Sequence, residues 1–286
     1  MLRPPTVANN APMQTDSPKA APPKRRRRWL QFSLRTLLLV MLAAGIAARS
    51  MTVKAEGQKS AVARIRQDGG SVKYDYQDRN IDSAGRWVGG AEPPGPAWLG
   101  RLLGDDYFVN VVDVQVASDA GLEQIGALGS LRNLYRRPVS GGRPRITDAG
   151  LKYIAGLTQL RWLCLDDTRI TDAGLVYLDG LSELQQLDLA YMAVTDDGLK
   201  HLAPLSRLAN LDLSGTEISG VGLQYLSGLV NLQHLDLSRS MVNDEGLDRV
   251  GRLRSLRRVS LAGAIQISDE GVSKLKKALP NCEIQR

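Results

Sequence analysis

The 286-residue chain is poor in the residues that build compact specialised sites. Two cysteines exclude a disulfide-built scaffold, and two histidines, His201 and His234, argue against a histidine-rich metal site. Only two phenylalanines are present, so leucine has to fill the core. No nucleophile motif, phosphate loop or metal-ligand cluster is found. Gly220-Val-Gly222 lacks the strand–turn setting of a dinucleotide fingerprint. No catalytic residue, metal or cofactor is therefore expected. What is present is a hydrophobic content of 43 %, which excludes wholesale disorder, in a length suited to one large domain or two small ones.

The net charge of +7 invites a nucleic-acid reading until its distribution is examined. Residues 1–54 hold ten Lys or Arg and one acid, a net of +9, while the remaining 232 residues hold 27 bases and 29 acids, a net of −2. Six of the thirteen prolines lie in residues 1–23, a stretch with little apolar periodicity, so 1–28 is expected to be a disordered Pro-rich and basic tail. The basic run Lys24-Arg25-Arg26-Arg27-Arg28 leads directly into Trp29 and then into the uncharged run Thr36–Ala48. As a helix those 13 residues span roughly 20 Å, whereas Trp29–Ala48 reaches the ~30 Å of a hydrocarbon core, with Arg35 able to snorkel toward the interface. Residues 29–50 thus read as a signal-anchor helix. The positive-inside rule then places the N-terminus in the cytoplasm and the C-terminal domain outside a cell membrane crossed once. A cleaved signal peptide, with small residues around Gly45–Ala48, and a helix of a soluble protein are the alternatives. Charge placed immediately before an apolar run concerns topology, and no nucleic-acid partner is expected.

From residue 109 the chain repeats itself. Leu160-Arg-Trp-Leu163-Cys-Leu165 recurs as Leu184-Gln-Gln-Leu187-Asp-Leu189, Leu208-Ala-Asn-Leu211-Asp-Leu213 and Leu232-Gln-His-Leu235-Asp-Leu237. Each lies 24 residues after the last, and Leu256-Arg-Arg-Val259-Ser-Leu261 follows at the same spacing. Upstream, Leu131-Arg-Asn-Leu134 opens a longer unit with an insert at Ser140–Pro144, and Val109-Asn-Val-Val112-Asp-Val114 opens a degenerate first one, making seven. The alternate leucines read as a short strand. The following Thr/Ser-Asp pair, as in Thr171-Asp172, reads as a helix start, because a hydroxyl accepts an orphan N–H and an acid suits the positive end of the dipole. Leu175, Leu178 and Leu181 then follow at helical spacing. A glycine recurs after the pair in all seven units, and a packing role between units is expected for it.

These residues resemble the leucine-rich repeat over 109–286. The resemblance implies an α/β solenoid, a right-handed horseshoe arc with a parallel sheet on the concave side and helices on the convex side. Residues 55–108 are expected to form an N-terminal cap. It would comprise a helix carrying Ala61, Val62 and Ile65, a strand over Val72–Tyr76, a loop over 77–96 and a short helix with Trp98 and Leu102. Phe32-Ser33-Leu34-Arg35-Thr36-Leu37-Leu38-Leu39 followed by cap and repeats resembles bacterial membrane-anchored leucine-rich-repeat proteins. In the turn after the strand, Thr168, Thr216 and Ser240 are expected to hydrogen-bond backbone, with Met192 and Ala264 interrupting the series.

The outward strand positions are the candidate contact surface. One row is expected to read Asp113, Tyr135, Cys164, Asp188, Asp212, Asp236 and Ser260, and its neighbour Val111, Asn133, Trp162, Gln186, Asn210, His234 and Arg258. Asp188, Asp212 and Asp236 either serve a basic partner or cation, or simply recur as a repeat word on a wet surface. Tyr135 and Trp162 form an aromatic pair of the kind that anchors interfaces, unless the Ser140–Pro144 insert covers them or the strand is irregular where Arg136 replaces a leucine. His234 is most simply an exposed strand residue. Cys164 and Cys282, about five strands apart, are expected to remain unpaired thiols. The functional reading is a non-enzymatic, membrane-anchored protein-binding module using Tyr135, Trp162, Asp188, Asp212, His234 and Asp236. The alternatives are a structural cell-envelope protein without a defined ligand and a substrate-recognition adaptor. The expected partner is another protein, with the membrane engaged through 29–50.

Overall fold

A computed structural model describes residues 34–75, 109–137 and 145–286. The tail 1–28, the start of the anchor at 29–33, the loop 77–96, the helix around Trp98 and the Ser140–Pro144 insert lie outside the described residues. The chain forms two compact units, 1–46 and 47–286.

The described part of the first unit is helical and solvent-exposed. It belongs to α1, which runs from Leu34 to Gln67. Leu38, Leu39, Met41, Leu42 and Ile46 are all exposed, so this helix is apolar all round rather than on one stripe. From Thr36 onward it is long and apolar enough, by length and composition, to cross a membrane. No proline or glycine stands between Arg49 and Glu56, and α1 includes this stretch.

In the second unit the end of α1 turns amphipathic and buries Ala55, Ala61, Val62 and Ile65. Buried Gln58 closes the seam. Its amide donates to Val109 O at 3.0 Å and accepts from Val111 N at 3.3 Å. After a turn, β1 (Ser71–Tyr74) pairs antiparallel with β2 (Val111–Val116). The remaining strands are parallel and in sequence order: β3 (Asn133–Arg136), β4 (Trp162–Cys164), β5 (Gln186–Asp188), β6 (Asn210–Asp212), β7 (His234–Asp236), β8 (Arg258–Ser260) and β9 (Glu283–Gln285). Leu134, Leu163, Leu187, Leu211, Leu235 and Val259 are register partners, and each is buried. At about 2–3 kcal/mol per buried aliphatic side chain, this column and the matching leucines of the return segments supply the core.

Two strand expectations are corrected. Asp113 pairs with Asn133 and Gln115 with Tyr135, so the first unit opens at Val111, two residues later than expected. Valines alternate through 109–116, and a slip of two leaves every side chain on its own face, so pattern alone does not fix the register. Gln115 therefore takes the place expected for Asp113, and Asp113 takes that of Val111. An eighth parallel strand, β9, follows the seventh unit, unmarked by leucine because Asn281 and Arg286 stand where the flanking leucines would be.

The return segments are α2 (Asp119–Ile125), α3 (Asp148–Leu151), α4 (Asp172–Leu175) with a 3₁₀ turn at Val176–Leu178, 3₁₀ helices at Gly198–Leu202 and Val221–Gly228, α5 (Asp244–Val250) and α6 (Asp269–Ala278). Two units that were expected to be α-helical are thus 3₁₀. That form covers more length per residue than an α-helix.

The Thr/Ser-Asp pair does more than start helices. Thr147, Thr171 and Thr195 accept an N–H two residues ahead at 3.3 Å, as a cap should. The aspartate meanwhile reaches the next unit. Asp119 accepts Thr147 N at 2.8 Å and Thr147 Oγ1 at 2.7 Å. Asp148 holds Thr171 at 2.8 and 2.8 Å, Asp172 holds Thr195 at 2.9 and 2.6 Å, Asp196 holds Ser219 at 3.0 and 2.5 Å, and Asp244 holds Ser268 at 2.9 and 2.5 Å. The ladder begins in the cap, where Asp68 accepts from Ser118 Oγ at 2.6 Å. It is interrupted once among the described residues, at Gly220, which has no carboxylate to offer Asn243. There Gly220 adopts φ +117° and its backbone lies against Gly246.

The ladder also explains the recurrent glycine. A Cβ on Gly174 would lie 2.3 Å from Asp148 Oδ1, and one on Gly198 equally close to Asp172 Oδ1. Gly174→Ala and Asp148→Ala should each cost about 1–3 kcal/mol. The double variant should lose less than their sum, because removing the carboxylate makes room for the methyl. Urea midpoints of the four proteins measure this, and strictly additive losses would detach the glycine from the carboxylate. Amide exchange offers a second check, with Asn243 N exchanging faster than Thr171 N or Thr195 N because only the latter two donate to a carboxylate.

Candidate functional site

Strand alternation sends the residues between the buried leucines to the open face of the sheet. Asn133, Trp162, Gln186, Asn210, His234, Arg258 and Glu283 form one row in register. Tyr135, Cys164, Asp188, Asp212, Asp236, Ser260 and Gln285 form the next. Both rows follow the expected order from β3 onward. Five of the six candidate residues, Trp162, Asp188, Asp212, His234 and Asp236, line one depression of about 300 Å³ on this face. Tyr135 lies beside it and packs edge-on against Trp162, with ring centroids 5.0 Å apart and planes at 72°. Trp162 remains 40 % exposed. Such an edge-to-face pair fixes the indole while leaving it available.

Each aspartate of the central row is tied to its own turn. Asp188 Oδ1 accepts Ala190 N at 3.0 Å, Asp212 Oδ1 accepts Ser214 N at 2.8 Å, and Asp236 Oδ1 accepts Ser238 N at 2.8 Å. The recurring Leu-Asp-Leu word therefore has a structural use, closing the turn where the chain leaves the strand. Burial pushes the Asp188 carboxyl above its ordinary range, the Ala190 N–H opposes this, and the charges of Asp212 and Asp166 add to the rise.

Those turns need a left-handed residue, which is Asp167, Tyr191, Gly215, Arg239 or Gly263 in successive units. Arg239 donates to Tyr191 Oη at 2.9 Å, bridging two repeats across Gly215. Next to them, Thr216 and Ser240 donate to Leu213 O and Leu237 O at 2.5 and 2.6 Å, as expected of the turn hydroxyls. Thr168 departs from this expectation, since its buried hydroxyl has no hydrogen-bond partner among the described residues. Met192 and Ala264 are buried, and so break the series where expected.

The residues that sequence reasoning missed are Arg136 and Asp166. Arg136 occupies an inward leucine position, and its guanidinium engages both oxygens of Asp166, with Nε to Oδ1 at 2.9 Å. The hydrogen bond from Arg136 holds the Asp166 carboxyl below its usual range against the opposing effect of burial. Two departures from the repeat word on adjacent units, with opposite charges, carried the signal. Asp166 stands where other units have Ala190, Ser214, Ser238 or Ala262.

Cys164 donates toward Asp166 Oδ1 at 3.1 Å and Asp188 Oδ2 at 3.6 Å, so donor atoms of the three residues lie within 4.8 Å of one another. Burial, the hydrogen bond to Asp166 and the charges of Asp188 and Asp166 push the Cys164 thiol up, and Arg136 already pairs with Asp166. Cys282 is likewise a free thiol, raised by burial.

The two aspartates should respond oppositely to substitution. Asp166 is depressed, so its pairing stabilises the fold above the ordinary carboxylate pKa and is lost as pH falls through the folded value. Asp166→Asn should lower the urea midpoint at pH 7, by an amount that shrinks toward pH ~3. Asp188 is raised, so its contribution is fullest below the ordinary value and is lost as pH rises. Asp188→Asn, whose amide oxygen still accepts Ala190 N, should be neutral or stabilising at pH 7 in the same titration.

Residues 229–250 match the model described as "Leucine Rich repeat". Among solved structures the chain is similar to an internalin (inlF) from Listeria monocytogenes str. 4b F2365. That match has 25 % identity and a TM-score of 0.46, over 62 % of this chain and 46 % of that one. It is also similar to internalin C2 (inlC2) from the same strain, at 26 % identity and a TM-score of 0.45, over 63 % of this chain and 70 % of that one. The chain thus spans less than half the length of the first of these structures. No curated protein matches it. Unit 2 has the α/β architecture of a leucine-rich-repeat solenoid, with a mostly parallel sheet backed by short helical return segments.

Proposed function

We propose that the chain is a non-enzymatic, membrane-anchored module that binds another protein on the open face of its repeat sheet. The observation that carries this reading is Trp162, exposed at the edge of a shallow trough and braced by Tyr135. A large aromatic held in a fixed pose on a polar face is the usual anchor of a protein interface. Tyr135, Trp162, Asp188, Asp212, His234 and Asp236 are the proposed contacts. The apolar stretch of α1 supports the anchor, and the +9 charge of residues 1–54 supports a cytoplasmic N-terminus with the repeats outside a membrane crossed once.

Two measurements test the reading. The full chain should stay with membranes through alkaline extraction, and its repeats should be digested when protease is added to the outer side of the membrane. Leu38→Arg with Leu42→Arg should release it, since a charge near the bilayer centre costs about 2.5–3.5 kcal/mol on insertion scales. Affinity capture with the full chain and with Trp162→Ala should differ by the loss of a specific protein. Identical captures would remove the open face from the function.

A further inference from the structure

We propose that the face over β4–β8 takes an extended segment of about six residues bearing lysine or arginine. This rests on the protein-binding reading above and names the chemistry of the partner. The row containing Trp162 is satisfied by its own neighbours at both ends. Asn133 Nδ2 donates to Asp113 Oδ1 at 2.6 Å, and Arg258 Nε donates to Glu283 Oε2 at 3.0 Å. Between these ends, Gln186, Asn210 and His234 stand half-buried on three adjacent strands. None of them makes a side-chain hydrogen bond with another described residue, beyond the electrostatic influence of His234 on Glu283. Each amide offers one acceptor and two donors, a fit to the main chain of a segment crossing the strands.

The neighbouring row sets the sign of the occupant. Asp212 and Asp236 use Oδ1 for their turns, which leaves Oδ2 for an incoming donor, and Asp188 Oδ2 faces only the Cys164 thiol. Among the described residues, Arg258 is the one Lys or Arg lining this trough, and it is already paired with Glu283. Among the described residues, three carboxylates thus lie on adjacent strands without a cation of their own, and charge complementarity calls for a basic occupant. At one end the exposed indole of Trp162 offers its face to a guanidinium or to a lysine stem. From β4 to β8 the distance is about 19 Å at strand spacing, which an extended chain covers in about six residues.

The test uses the full chain in detergent micelles and a fluorescein-labelled twelve-residue peptide of alternating lysine and serine. Binding followed by fluorescence anisotropy should weaken about tenfold in the Asp212→Asn/Asp236→Asn variant and on raising salt from about 50 to about 500 mM. Gln186→Ala/Asn210→Ala and Trp162→Ala should each weaken it several-fold. Asparagine keeps the oxygen that accepts the turn N–H, so an unchanged urea midpoint ties the loss to binding rather than to folding. Unaltered affinity in the Asp→Asn variant, tighter binding of the glutamate–serine counterpart, or displacement by the neutral hexasaccharide cellohexaose overturns the proposal. If the lysine peptide fails while protein capture still depends on Trp162, the chemistry assigned here is wrong and the binding face stands. If capture is also indifferent to Trp162, the face itself is wrong.

Discussion

An aspartate at the start of one return segment accepts both the N–H and the hydroxyl of the Thr or Ser that opens the next, and the spacing of the units depends on that double bond. Strands of three residues provide few ladder bonds, and the return segments are too short to persist as isolated helices. Leucine burial supplies the driving force, but apolar contact is not directional and tolerates sliding. A carboxylate that must meet two donors at 2.5–3.0 Å does not tolerate it. The clamp therefore sets the pitch at which the leucines interdigitate, and it sets the steric limit that keeps glycine beside it.

The two faces of the sheet divide the work. The inner face is uniform, with one aliphatic column after another. The open face is where units differ, and its variation is graded rather than random. Near β3 and β4 it carries the aromatic pair and the Arg136–Asp166 network. In the middle it carries amides and aspartates, and at β8 and β9 an ion pair closes it. The aspartates serve both faces at once. One oxygen closes the turn that returns the chain to the core, and the other faces outward.

Much of this was readable beforehand, for a definite reason. Wherever a residue recurs every 24 positions, periodicity reports its environment directly, so the strands, the buried leucines, the Thr caps and the order of the two open rows from Asn133 and Tyr135 onward follow from spacing. Register failures fall where recurrence stops. Alternating valines between 109 and 116 leave the first register undetermined, and the leucine-free end conceals β9. The clamp stayed hidden because the Thr and Asp that touch come from different units. Adjacency in Thr171-Asp172 points to a local cap, while the carboxylate partner of Thr171 is Asp148. Arg136 stood out as an anomaly, but its pairing with Asp166 across thirty residues needed the β3–β4 register to show it.

The interrupted rung at Gly220 bears on how such an array lengthens. A unit with both Thr and Asp receives one clamp and gives one, so a tandem copy of its 24 residues arrives with its connections already specified. The unit containing Ser219 and Gly220 receives a clamp from Asp196 and gives none. Copied in tandem, it would set a second unclamped junction beside the first. A copy of a clamped unit would thus carry its connection with it, whereas a copy of the Gly220 unit would rely on the glycine–glycine approach alone.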